Sequence, residues 1–203
     1  MPARTLSIED AKAANLTVVE GGVKGGQAVH DLIVAYQANR RSGSANCKTR
    51  GEIRGTGKKM YRQKGTGNAR HRTRKAPLYV GGGVAHGPRP RDYSKQVPKK
   101  TRKLALQRVL GDRIAEGAVQ VVDSFEISDG KTKSFVAEVS GLTGEVKVLV
   151  SAPEFSDQTY LAARNVAWAQ LETADSVNVE QLLNCEAIIL TEGALEVFAK
   201  RTG

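Results

Sequence analysis

Apolar positions recur with helical spacing in two places along the chain. Val29, Leu32, Ile33 and Tyr36 fall at i, i+3, i+4 and i+7, which predicts a helix over 27–41. The run Arg40-Arg41-Ser42-Gly43 supplies a favourable C-terminal charge and a glycine stop. The same period returns at Leu106, Val109, Leu110 and Ile114, giving a helix over 99–116. Arg102, Lys103, Arg108 and Arg113 lie mostly off that stripe, so its basic side is expected to face outward. Upstream, residues 4–20 are weakly patterned; Leu16 to Val19 reads as a short strand and GGVKGG (21–26) as a turn or linker.

Beyond residue 116 short apolar runs alternate with helical segments. VQVV (119–122), VKVLV (146–150), AWAQL (167–171) and AIIL (187–190) are expected strands, with Trp168 in the core. Between them, Phe135, Val139 and Leu142 mark a helix from about 131, with Ser128 or Asp129 as its N-cap. LAARN (161–165) continues a helix begun near Ser156-Asp157, and VEQLL (179–183) is another. Leu195 and Phe198 belong to a last helix ending at Lys200-Arg201. Strands separated by helices require crossovers, hence a mainly parallel four-stranded sheet in a three-layer α/β/α domain.

The pattern fails between the first two helices. Residues 40–103 hold 20 Lys or Arg against Glu52 and Asp92, while the rest of the chain carries 11 basic and 19 acidic residues. The overall net charge of +10 therefore joins two parts of opposite sign. Ile53, Met60, Leu78, Val80, Val84 and Val97, with Tyr61, Tyr79 and Tyr93, are too few to form a core. Ordering the backbone alone costs roughly 1–2 kcal/mol per residue. Ten glycines and four prolines argue against a regular helix. We therefore expect a globular α/β domain of residues 1–43 and 99–203, with residues 44–98 inserted in it as a long extended basic internal loop. Running out and back, each leg could reach about 100 Å at roughly 3.3 Å per residue.

A basic run is most often a solvated tail. This one is internal and punctuated by apolar and aromatic residues, which points instead to a polyanion that surrounds it. Structured RNA fits that description: phosphates take up cations, glycine backbone approaches closely, and planar groups stack on unpaired bases. The candidate phosphate contacts are Arg40, Arg41, Lys48, Arg50, Arg54, Lys58, Lys59, Arg70, Arg72, Arg74, Lys75, Arg89, Arg91, Lys95, Lys99 and Lys100. Duplex DNA remains an alternative on charge alone.

Catalytic patterns are missing. GTGKKM (55–60) and GTGNAR (65–70) lack the third glycine of a dinucleotide loop, and Glu52 occupies the position where a P-loop needs glycine. His30, His71 and His86 have no ligand spacing with one another or with Cys47, and no Gly-x-Ser-x-Gly elbow exists. We expect no catalysis, metal or cofactor. Cys47 and Cys185 give no disulfide framework and suit a reducing cytoplasm. No 18-residue apolar run exists, and the N-terminus lacks a signal-type apolar block, so neither a membrane span nor export is expected.

Residues 49–100 resemble the internal loop of the bacterial ribosomal large-subunit L-four family. GTGKK (55–59), RQKGTG (62–67), GGGVAHGPRPRDYS (81–94) and Lys99-Lys100 occur in that family's order and spacing, and LAARN is similar to its C-terminal segment. The resemblance implies a structural, non-enzymatic ribosomal protein that acts early in subunit assembly. It implies an α/β domain on the outside of the large subunit and a loop threaded through large-subunit rRNA. The loop tip would line the polypeptide exit tunnel beside the loop of protein L-twenty-two, next to the nascent polypeptide. The tip corresponds to Tyr61, Arg62, Gln63, Lys64, Gly65, Thr66, Gly67 and Asn68. Met60-Tyr61 stands where relatives often carry Pro-Trp, and Asn68 where they carry Arg; an aromatic ring survives, a backbone restraint and one charge do not. Some relatives also repress their own operon by binding messenger RNA, which is the alternative reading.

Overall fold

The computed structural model describes residues 3–19, 21–144 and 147–203. It divides into two compact units, one of Met1–Gln37 with Gln96–Gly203 and one of Ala38–Lys95.

The larger unit is built on parallel strands whose side chains alternate between two apolar layers. Strands β2 (Val119–Val122), β3 (Val148–Ala152), β4 (Ala169–Thr173) and β5 (Ala187–Thr191) pair in parallel, and β1 (Arg4–Thr5) adds antiparallel to β2, giving the order β1-β2-β5-β3-β4. Every residue of β3 and β5 is buried, as expected for strands covered on both faces. Ile188 and Leu190 join Leu149, Val119 and Val121 on one face; Ile189 joins Val148, Val150 and Val122 on the other. That parity follows from the two-residue period of a strand.

Helices cover both faces. On the first lie α1 (Ile8–Ala13), α2 (Gly26–Asn39), α3 (Lys99–Ala115), α6 (Val179–Asn184) and α7 (Glu192–Thr202), contributing Leu32, Leu106, Leu110, Leu182 and Phe198. On the second, α4 (Thr132–Leu142) and α5 (Asp157–Ala163) contribute Phe135, Val139 and Ala162. Phe125 meets Phe135 edge to face at 5.8 Å. Full burial of each large side chain contributes roughly 1.5–3 kcal/mol, so stability is concentrated in this unit. Short helices are held by caps: Ser7 with Asp10 on α1, Ser156 on α5, Asn178 with Gln181 on α6, and Thr191 on α7.

The three-layer expectation stands, with corrections. The sheet has five strands, since the two-residue β1 was too short for any periodic signal. Residues 16–19 form no strand: Leu16 is buried, and the Val19 amide donates to the Gln107 carbonyl of α3 at 3.2 Å. Helix α4 is capped at Lys131, not at Ser128 or Asp129; the Asp129 carboxylate instead accepts from the Lys131 amide and the Ser134 hydroxyl. Trp168 is half-buried in the turn before β4, where its carbonyl accepts from the Val148 amide. Residue 146 of the expected strand lies outside the described residues. The helix expected over 27–41 ends at Asn39.

Arg108 and Arg113 do not form an outward basic face. Arg108 pairs with Asp112 at 2.8 Å and donates to the Gly22 carbonyl at 2.8 Å. Arg113 donates to the carbonyls of Leu182 (3.0 Å) and Leu183 (2.6 Å), satisfying acceptors at the end of α6. Both guanidinium groups therefore serve the fold.

Gly111 lets residues 16–19 lie against α3, because a Cβ there would stand 2.4 Å from the Val19 carbonyl oxygen. Gly111→Ala gains about 1 kcal/mol of helix propensity. Overpacking against backbone costs about 1–3 kcal/mol and wins. Urea denaturation should show a lower midpoint for this variant; a raised midpoint would contradict the packing assigned to Gly111.

Candidate nucleic-acid interface

Residues 41–97 contain no helix or strand, and Gly83 is the only buried residue of the unit Ala38–Lys95. What orders this unit is hydrogen bonding between an outgoing and a returning leg. The Arg91 amide donates to Gly43, the Cys47 amide to Pro88, the Val84 amide to Lys48, and the Met60 amide to Arg72, at 3.0–3.2 Å. The Thr73 hydroxyl donates to the Thr56 carbonyl at 2.9 Å. Partner numbers fall on one leg as they rise on the other, so the legs are antiparallel. The contacts are too sparse for a ladder, as glycine and proline punctuation dictates. Residues 76–82 leave the returning leg as a small lobe, closed by the Gly83 amide on the Lys75 carbonyl at 2.9 Å. Leu78 and Val80 on this lobe are exposed.

At the base, Asn39 and Lys95 exchange two hydrogen bonds: the Lys95 amide donates to Asn39 Oδ1 at 2.7 Å, and Asn39 Nδ2 to the Lys95 carbonyl at 3.3 Å. The Tyr93 ring carries the guanidinium groups of Arg41 at 3.7 Å and Arg91 at 4.4 Å. These cations, first a hydrogen bond from Arg91, hold the Tyr93 phenol below its ordinary pKa. The legs approach closely only where glycine permits: a Cβ on Gly83 would stand 2.1 Å from the Arg50 nitrogen.

At the far end the chain reverses over residues 61–69. Tyr61 donates its hydroxyl to the Ala69 carbonyl, Arg62 Nη2 to the Gly65 carbonyl at 3.0 Å, and Lys59 Nζ to Gln63 Oε1 at 2.6 Å. Gly65 has φ 79°, a left-handed conformation that side chains other than glycine resist. Tyr61, His71 and Tyr79 form an edge-to-face chain with centroids 6.4 and 5.3 Å apart. Arg62, Gln63, Lys64, Gly65, Gly67 and Asn68 are exposed; Tyr61 and Thr66 are half-buried.

Of the sixteen candidate phosphate contacts, Arg40 through Lys95 lie in this unit, and all of them except the half-buried Lys75 are exposed. Lys99 and Lys100 occupy the first turn of α3, in the other unit, and are exposed. The first turn of that helix has no acidic residue. A cation there opposes the helix dipole, so these two lysines do not serve helix stability.

Both acids of the unit are engaged. Asp92 accepts from the Ser94 amide at 2.8 Å and from its hydroxyl, which lower its pKa. Glu52 accepts from Arg89 Nη1 (2.9 Å), the Thr49 amide (2.7 Å) and the Thr49 hydroxyl (3.1 Å). Arg89 first, then Thr49, lowers the Glu52 carboxyl from 4.5 to about 2. A depressed carboxyl pKa means the interaction is fully present above pH 4.5 and is lost as pH falls through about 2. The Glu52 pairing was missed in the sequence, although Thr49-x-x-Glu52 has capping-box spacing.

Other chemistry is thin. No group of three or more His, Cys, Asp or Glu placed to hold a metal occurs among the described residues. Among them, no helix is long and apolar enough to cross a membrane. Burial raises the pKa of the Cys185 thiol, leaving it inert.

The features define a class: a packed α/β body whose chain also carries a core-less, cation-rich unit. The chain belongs to the ribosomal protein L4/L1 family, whose model matches residues 24–201. It is 41% identical over 177 residues to the large ribosomal subunit protein uL4 of Deinococcus radiodurans, covering 86% of this chain and 85% of that protein. The uL4 protein of Deinococcus deserti is 45% identical over 170 residues, 83% of each chain. That of Dehalococcoides mccartyi is 36% identical over 208 residues, spanning 100% of this chain and 99% of its own. Each of these relatives is named as a protein of the large ribosomal subunit.

Gly83→Ala should separate the legs and expose the Val84 amide to solvent exchange. Gly57→Ala, where a Cβ meets nothing within 4 Å, serves as the control. Faster exchange at Val84 in the first variant alone is expected; equal exchange in both would contradict the close approach.

Proposed function

We propose that this protein is a structural component of the large ribosomal subunit in the cytoplasm, binding large-subunit rRNA through its core-less unit. In this reading residues 44–98 are the penetrating loop, while 1–43 and 99–203 are the body that anchors it. The observation that carries it is the combination in residues 38–95 of sixteen Lys or Arg, two carboxylates and one buried residue. Such a segment cannot be stabilised by its own burial, and its charge is matched by a surrounding phosphate backbone.

The tip, Tyr61 to Asn68, then helps line the exit tunnel beside protein L-twenty-two and meets the nascent polypeptide. Exposed Arg62 and Lys64 on a reversal fixed by Gly65 suit a role in shaping a wall. Neutralising one tip cation leaves many others, so assembly tolerates it. A bulky residue at Gly65 disturbs the reversal itself, because its φ is positive. The unit helps assembly by bridging RNA segments that come to lie on opposite legs.

Binding of the full chain to a large-subunit rRNA fragment should weaken steeply with salt, with log K falling by roughly 0.7–0.9 per phosphate neutralised for each tenfold rise in salt. Deleting 44–98 should flatten that slope and leave a folded body. Duplex DNA at matched salt should compete poorly. Equal competition by DNA, or an unchanged slope after deletion, would refute the assignment. Crosslinking from positions 62 and 64 in assembled subunits should reach tunnel-wall RNA and nascent chain. Crosslinks only to the subunit exterior would refute the placement of the tip.

In the same subunits, Gly65→Val should alter the tunnel footprint more than Lys64→Ala. The reverse order would show that charge, not backbone shape, governs the tip.

A further inference from the structure

We propose that Glu52 is a positioning residue that buckles the two legs together in the free chain, before any RNA arrives. The inference rests on the RNA-binding reading above, because it concerns how the cations are presented to that partner.

An acidic side chain is out of place in a unit with sixteen Lys or Arg. It repels phosphate and removes one unit of attraction. Its geometry supplies a reason for its presence. Glu52 closes the turn Thr49-Arg50-Gly51-Glu52, in which the Glu52 and Ile53 amides donate to the Thr49 carbonyl at 3.0 and 3.1 Å. Its carboxylate reaches back to the Thr49 amide at 2.7 Å and the Thr49 hydroxyl at 3.1 Å. This is one half of a helix-start capping box: the carboxylate takes the Thr49 amide, while the Glu52 amide goes to the Thr49 carbonyl and not to its hydroxyl.

The same carboxylate takes Arg89 Nη1 at 2.9 and 3.2 Å, and that nitrogen also approaches Asn46 Oδ1 at 3.4 Å. Arg89 lies 37 positions later, on the returning leg. One acid therefore ties a rigid turn on the outgoing leg to a cation on the other. Two cross-leg backbone bonds lie close to it in sequence, Cys47 to Pro88 and Val84 to Lys48, both 3.0 Å. Gly83 packs against Arg50 in the same place.

An isolated exposed ion pair contributes little. Here the carboxylate takes charge-assisted and turn-closing bonds together, and it offsets repulsion between two cationic legs near the close approach of Gly83 to Arg50. Closing the legs in advance reduces the ordering required on binding.

The test separates this from simple charge. In the full-length, RNA-free chain, exchange of the Cys47 and Val84 amides is compared for wild type, Glu52→Gln, Arg89→Gln and the double variant. Wild type should protect both amides about tenfold over either single variant, and the double variant should be no worse than the singles. Unprotected amides in wild type, equal protection in Glu52→Gln, or additive losses in the double variant would overturn the proposal.

Binding to the rRNA fragment at fixed salt supplies a second readout with opposite signs. Removing a negative charge should tighten binding if charge alone mattered, whereas loss of the buckle should weaken it by about three- to tenfold. Tighter binding by Glu52→Gln would overturn the buckle's role in RNA binding. Failure of the wild type to bind RNA would instead overturn the functional reading, while the exchange data would still decide whether Glu52 closes the legs.

Discussion

A chain segment with one buried residue and sixteen cations has no hydrophobic core to compact it, and this constraint shapes the rest of the molecule. Hydrophobic burial, the main favourable contribution in folding, is slight in residues 38–95, where Ile53, Met60 and the three tyrosines are only half-buried. Like-charge repulsion opposes closure. What remains are directional contacts: cross-leg backbone bonds, the Asn39–Lys95 exchange, the Tyr93 ring between two guanidinium groups, and the Glu52 carboxylate. Each is modest in water, where exposed polar groups have solvent as an alternative partner. A dense polyanion turns the same charges from a liability into the source of order.

The body solves the opposite problem. Its strands bury both faces, its short helices are capped, and Arg108 and Arg113 satisfy carbonyls and acids within the fold. Stability is thus kept in one unit, and the densest run of cations lies in the other.

Much of the body was legible because burial leaves a period. Leu106, Val109, Leu110 and Ile114 mark α3, and the apolar runs mark β2, β3 and β5. Where length is too short for a period, the pattern is silent: β1 has two residues, and α1 is announced only by the Ser7–Asp10 box. Arg108 and Arg113 misled because a charged residue reads as solvated, although its guanidinium can turn back onto backbone carbonyls. In the cationic unit, composition showed the absence of a core. The leg pairing was hidden, since bonds such as Val84 to Lys48 join positions with no shared periodicity. The Thr49–Glu52 spacing was visible, but nothing along the chain connects it to Arg89.

We propose that residues 38–95 take their order chiefly from surrounding RNA, with only the base and the Glu52–Arg89 contact closed in advance. Amide exchange measured across the whole chain, free and within assembled large subunits, tests it most directly. Residues 54–75 should exchange freely in isolation and become strongly protected in the subunit. Strong protection throughout 45–95 in the RNA-free protein would contradict it.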